Sequence, residues 1–313
     1  MNIVVLTPKT DFSKEQQEQL EALNNIRFID PPLEHKLDDF IEFAKGAEIL
    51  AVDPDNFGGF EKAKTLLNTL MDNLPGLKGL AIDTTSYGWV DLEYCKKRKI
   101  IVCNIPGYSR ESVAEHTIAL LLVLAKRIIE FDRKTQKNEF KLEMGKELKG
   151  KTLGIVGLGN IGTRTAEIAS CLGMRVIAHT HSPKTQDKIE LTSLKKLLEQ
   201  SDAIAFHVTN RPENIKMIGN EEIARMKKEV IIVNTANREI IDEQAMAEGL
   251  KSGQVFGYAF EGEDLDNTPL KGIDRAIGIK GFGWYTKESM NNLYQIWTDN
   301  IICLSKNKPQ NTV

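Results

Sequence analysis

Residues 152–171 constrain this chain more tightly than any other stretch. Leu153–Val156 is a short apolar run that leads directly into Gly157-Leu158-Gly159-Asn160-Ile161-Gly162, and a helix-like segment follows through Cys171. A Gly-x-Gly-x-x-Gly turn alone says little, but here strand, turn and helix stand in the order a dinucleotide requires. The first glycine permits the tight turn, the second lets backbone approach a pyrophosphate, and the third lets helix pack closely on strand. The start of the helix adds N–H donors and the positive end of its dipole. The expectation is a dinucleotide site with Gly157, Gly159, Asn160, Ile161 and Gly162 at the phosphates. An ordinary Gly-rich turn without a ligand is the weaker alternative.

The strand after this unit, Arg175–His179, should end on an acid if a ribose 2′-hydroxyl is to be gripped. The chain instead reads His179-Thr180-His181-Ser182-Pro183-Lys184. Thr180, His181, Ser182 and Lys184 suit a 2′-phosphate, although no Arg is present, so both NAD and NADP stay open.

Around this unit the pattern alternates. Apolar runs at Ile3–Leu6, Ile26–Ile29, Glu48–Ala51, Gly79–Ile82 and Ile100–Cys103 are separated by helix-like Lys14–Leu23, Leu37–Ala44, Phe60–Met71 and Leu92–Lys97. A second series places strands at Thr152–Val156, Arg175–His179, Ala203–Phe206, Val230–Asn234, Phe256–Phe260 and Ile277–Ile279. Strands alternating with helices predict parallel sheets, and the six-strand series fits a doubly wound dinucleotide-binding domain. Between the series, Ser112 and Glu115 have capping-box spacing ahead of Ile118, Leu121, Leu122 and Ala125. That predicts a long helix over 112–130, too apolar for a surface position. Asp132–Lys149 reads as a solvated connection.

Composition removes other classes. At 313 residues the chain suits two domains, and 41 Lys+Arg against 44 Asp+Glu leaves a net charge of −3, which argues against a basic nucleic-acid binder. Cys95, Cys103, Cys171 and Cys303 form no CxxC pair, so they read as reduced thiols rather than zinc ligands. The N-terminus lacks a basic leader, and no apolar run approaches the roughly 20 residues of a membrane span. The expectation is a cytoplasmic protein.

Several segments together resemble the D-isomer-specific 2-hydroxyacid dehydrogenases, a family that includes phosphoglycerate, glyoxylate and D-lactate dehydrogenases. They are Asn104-Ile105-Pro106-Gly107-Tyr108, Ser112-Val113-Ala114-Glu115-His116-Thr117, the Gly157–Gly162 turn, Val233-Asn234-Thr235-Ala236 and Gly257-Tyr258-Ala259-Phe260-Glu261. The resemblance implies a Rossmann-type doubly wound cofactor domain over 104–285, including the interdomain helix. It also implies a discontinuous flavodoxin-like substrate domain over 1–103 and 286–313, a small-molecule substrate in the interdomain cleft, and a homodimer. His207, Val208, Thr235, Ala236 and Glu261 become further cofactor-binding candidates.

The resemblance also shows departures. The family uses an Arg to bind substrate, a His to exchange a proton and a Glu to tune that His. Here Asn237 stands where the Arg belongs, with Arg238 one place later, and the Glu position falls near Asp266. Ile279-Lys280-Gly281 aligns with the family's Thr-Pro-His, so Gly281 takes the place of the His. Asp83-Thr84-Thr85-Ser86 replaces a Gly-rich carboxylate-binding turn and suggests a polar, differently shaped ligand; drift is the plainer alternative. Hydride transfer to a carbonyl leaves an alkoxide that needs a proton donor. Lys280, Asn237 and Asp266 are the catalytic candidates, with Lys280 as proton donor if a cleft desolvates it. Tyr87 and Tyr285 have no stronger claim. Of the histidines, His35 is distal, His179 and His181 lie toward the adenosine end, His207 closes the Ala203–Phe206 strand at the carboxyl edge where ligands bind, and His116 reads more plainly as an interface residue. Two functions remain: an NAD(P)-dependent oxidoreductase with altered acid/base residues, or an inactive NAD(P)-binding sensor or interaction protein.

Overall fold

A computed structural model describes residues 1–30, 36–139, 142–181, 189–209, 211–262 and 265–313. The chain forms two compact units, Met1–Tyr108 with Lys287–Val313, and Ser109–Thr286. The first crossing follows Tyr108 rather than Cys103, because Ile105 and Tyr108 pack into the first unit's core.

The first unit carries β1 (Ile3–Val5), β2 (Ile26–Phe28), β3 (Ile49–Val52), β4 (Gly79–Ile82) and β5 (Ile101–Cys103) in the parallel order β2-β1-β3-β4-β5. This is the flavodoxin-like order. Alternate strand residues feed two apolar layers. Val4, Leu50, Val52 and Leu80 face α2 (Leu37–Ala44), α3 (Phe60–Asp72) and α4 (Leu92–Arg98). Ile3, Val5, Ile49 and Ala81 face α1 (Lys14–Glu21) and the final helix, α11 (Lys287–Ser305). The C-terminal helix is pinned there by Trp297, fully buried with Nε1 donating to the Ala81 carbonyl, and by Asn300, whose amide donates to Asn104 O.

The second unit begins with α5 (Arg110–Lys126) and α6 (Ile128–Gln136). These are two helices rather than the single one expected over 112–130. Arg127 between them adopts φ 55° and holds Glu130 with two hydrogen bonds, which fixes the break. Nor does Ser112 cap the helix: it lies inside the first turn, and its hydroxyl donates to Gly283 O. Among the described residues, seven parallel strands follow. They are β6 (Thr152–Val156), β7 (Arg175–His179), β8 (Glu190–Leu191), β9 (Ala203–Phe206), β10 (Val230–Asn234), β11 (Val255–Glu261) and β12 (Ala276–Ile279), ordered β12-β11-β10-β9-β6-β7-β8. The seventh, β8, was not expected: two exposed residues at a sheet edge carry no apolar pattern. Read from β8 inward, the order is that of a doubly wound fold. One face packs on α8 (Leu194–Gln200), α9 (Asn220–Arg225) and α10 (Glu243–Ser252), the other on α5 and α7 (Asn160–Cys171). Among the described residues, no helix is long and apolar enough to cross a membrane. All four cysteines are free, with Cys95 and Cys103 buried.

Candidate functional site

The glycine turn joins β6 to α7, and each glycine is needed for a different reason. Gly157 has φ +99°, and a Cβ there would lie 2.5 Å from the His207 carbonyl oxygen. A Cβ on Gly162 would lie 2.1 Å from Gly157 O, so the third glycine lets α7 close on the turn. Gly159 faces open space, leaving its backbone free to approach a ligand. Backbone bonds hold the turn between neighbouring strands: Gly157 N–H donates to His179 O at 2.8 Å and His207 N–H to Val156 O at 2.8 Å. These features, with the N-terminus of α7, fit the pyrophosphate of a dinucleotide.

The turn opens on a cavity of about 270 Å³ that brings together Gly157, Gly159, Thr180, His181, His207 and Val208. Ser182 and Lys184 lie outside the described residues. Asn160 and Ile161 start α7 without lining the cavity, and Gly162 is buried beneath it. Sequence reasoning missed Arg211, Asn214 and Met217, which also line it. Their only signal is that they follow the carboxyl end of β9, where ligands of such sheets bind. Burial pushes the His207 imidazole down to about 4, so it is neutral at pH 7, and its Nε2 lies 3.1 Å from Thr165 Oγ1.

A second group forms around the 281–283 loop of the same unit. Glu261 ends β11, and its Oε1 accepts the amides of Phe282 (3.0 Å) and Gly283 (2.8 Å). Ser112 and His116, one turn apart on α5, both reach this loop. Ser112 holds Gly283 O, and the His116 ring packs where a Cβ on Gly283 would stand 2.9 Å from its Cδ2. His116 Nε2 is buried 3.3 Å from Glu261 Oε1, short of hydrogen-bond geometry. A Cβ at Gly281 would meet nothing within 4 Å.

The three catalytic candidates occupy other settings. Lys280 is exposed. Asp266, with 91% of its side chain exposed, lies 3.5 Å from Lys271. Asn237 uses its Oδ1 to cap the turn after β10 by accepting the Glu239 amide at 2.9 Å. Its neighbour Arg238 is committed to Glu243 through both Nε and Nη2. Thr235 lies at the end of β10, 3.2 Å from Thr117 Oγ1, and the Ala236 amide donates to Asn234 Oδ1.

In the first unit, register pairs Val52 with Ile82, so Asp53 and Asp83 leave adjacent strands side by side. Burial, then the Asp53 charge, pushes the Asp83 carboxyl well above its usual range, and burial raises Asp53 too. Thr84 donates its hydroxyl to Ser86 O and Thr85 donates to Ile105 O, both at 2.8 Å, so these hydroxyl protons shape the loop. Ser86 O also accepts Trp89 Nε1 at 3.1 Å.

The family model described as "D-isomer specific 2-hydroxyacid dehydrogenase, NAD binding domain" matches residues 118–279. The chain is similar to a glyoxylate reductase of Thermococcus litoralis, 34% identical over 78% of this chain and 79% of that one. Among solved structures it is similar to an acyclic imino acid reductase in complex with NADPH and D-Arg, with TM-score 0.83 and 25% identity over all of both chains. It is also similar to a D-lactate dehydrogenase of Aquifex aeolicus complexed with NAD and lactic acid, with TM-score 0.77 and 27% identity over 98% of this chain and 96% of that one. The chain therefore belongs to the D-isomer specific 2-hydroxyacid dehydrogenase family, NAD(P)-dependent oxidoreductases of small 2-hydroxyacids.

Proposed function

We propose that this protein is an active NAD(P)H-dependent reductase of a small polar 2-oxo acid, with its proton donor moved from the place the family resemblance implies. The observation that carries the reading is the turn itself: Gly157, Gly159 and Gly162 each keep the geometry a dinucleotide needs, above an open cavity. The Thermococcus relative, named a glyoxylate reductase, supports the substrate class. Support for NADP comes from β7, which ends on His179 and continues into Thr180 and His181 without a carboxylate, and from the NADPH complex of the imino acid reductase. A homodimer accords with Leu142 and Met144, which are 86% and 88% exposed and are large apolar side chains for open water. Light scattering would test it.

A second reading, imine reduction, is favoured by Asp53 and Asp83. Two adjacent carboxyls suit a cationic substrate group better than the carboxylate of an ordinary 2-oxo acid, and the imino acid reductase was solved with D-Arg. A panel of 2-oxo acids and 2-imino acids, run with NADH and with NADPH, decides between them. Tight binding of either cofactor with no turnover on any member would refute both readings and leave a dinucleotide-binding sensor.

A further inference from the structure

We propose that His116 is the proton donor of this enzyme and that Glu261 is its positioning residue. The inference rests on the proposed carbonyl or imine reduction. Such a reduction consumes a proton as well as a hydride, so a group that titrates near neutrality must stand at the site.

Three features single out His116. Its Nε2 lies 3.3 Å from Glu261 Oε1, so the carboxylate fixes which way the ring faces. The Cγ–Cδ2 edge packs against Gly283, where only a residue without Cβ leaves room for the ring. With Nε2 turned to Glu261, Nδ1 remains as the nitrogen able to exchange a proton, and 23% of the side chain is exposed. Ser112 from the same helix face clamps the Gly283 carbonyl, while Glu261 clamps the two loop amides. The ring is thus fixed against Gly283, two residues along the loop from position 281, where a Cβ would meet nothing within 4 Å. Glu261 Oε2 accepts no hydrogen bond from a described residue, so the pairing leaves it available to a cofactor.

In the reductive direction the hydride adds to the carbonyl carbon and the C=O π pair moves onto oxygen. That oxygen takes the proton from His116 Nδ1, leaving neutral imidazole and oxidised dinucleotide. For an imine the same proton goes to nitrogen.

The first test needs no substrate. In NMR spectra of the ligand-free protein, Glu261→Gln should change the chemical shifts of the His116 ring; unchanged shifts overturn the pairing. In turnover, His116→Gln should lower kcat by about 10²–10⁴-fold with NADH affinity within about twofold of wild type. It should also abolish the basic limb of the pH profile. The double variant His116→Gln/Gly281→His should regain activity, which no purely structural role of His116 predicts. Retention of kcat and of the pH limb by His116→Gln overturns the proposal, as does a loss that neither the double variant nor added imidazole with His116→Ala restores. Failure of wild type on the whole substrate panel would instead overturn the function on which the proposal rests.

Discussion

Gly159→Ala and Gly162→Ala should fail in opposite ways. At Gly162 the new methyl would stand 2.1 Å from Gly157 O, against about 3.5 Å for an ordinary contact, so turn and helix must part by more than an ångström. Overpacking of this kind costs about 1–3 kcal/mol. Gly159→Ala meets nothing within 4 Å, so its fold should survive nearly intact; the methyl instead occupies the space through which a phosphate approaches the backbone. Losing one hydrogen bond to a charged group costs about 1.5–3 kcal/mol, which is about a 10- to 150-fold loss of affinity. Urea unfolding followed by circular dichroism reads the first effect, and quenching of NADH or NADPH fluorescence the second. Undiminished cofactor affinity in Gly159→Ala would refute the placement of the dinucleotide on this turn. Wild-type stability in Gly162→Ala would refute the packing reason for the third glycine.

Three further perturbations follow from the charged groups. The His207 imidazole is held at about 4, below its unfolded value, so unfolding takes up a proton as pH falls from about 6.5 to 4 and stability drops by up to about 3 kcal/mol over that window. His207→Asn should flatten this acid limb in urea midpoints; an equally steep limb would exclude His207 as its source. The Asp83 carboxyl is raised, so it costs stability as pH rises from the ordinary carboxylate range through its folded value. Asp83→Asn should therefore stabilise the protein at pH 7 by about 1–3 kcal/mol and have little effect at pH 3.5, with destabilisation at pH 7 counting against the buried pair. It should also raise KM more for cationic imino acids than for glyoxylate. Arg238→Ala leaves Glu243 without its two-pronged partner, and a fall in stability of about 1–3 kcal/mol in thermal melting is expected. An unchanged melting temperature would mean the pair contributes nothing.

The fold was legible because its strands are buried on both faces and so appear as continuous apolar runs. Gly79–Ile82, Thr152–Val156, Arg175–His179, Ala203–Phe206 and Val230–Asn234 occur at the residues their apolar runs predict. What escaped had no local pattern. β8 is two exposed residues recruited by the edge of β7, and the break at Arg127 depends on an ion pair that sequence spacing does not announce. Ser112 shows the limit of motif reasoning: its capping-box spacing is real, but its hydroxyl goes to a carbonyl 171 positions away. Arg238 shows the same limit from the other side, since only the structure shows Glu243 occupying its guanidinium.

Cofactor binding and proton transfer differ in this respect for a physical reason. The dinucleotide turn is made of backbone, and its requirements are absences of side chain at Gly157, Gly159 and Gly162, within one stretch of six residues. Such requirements survive in sequence as a fixed spacing. Proton transfer needs only a titratable nitrogen held at the right place, and that place can be reached from several elements. The 281–283 loop is anchored by β11 through Glu261 and by α5 through Ser112, neither of which depends on the side chain at 281. The loop therefore keeps its place with glycine at 281, and on the proposed mechanism the imidazole is supplied from α5 instead. His116, one turn along α5 from Ser112, is already beside that loop.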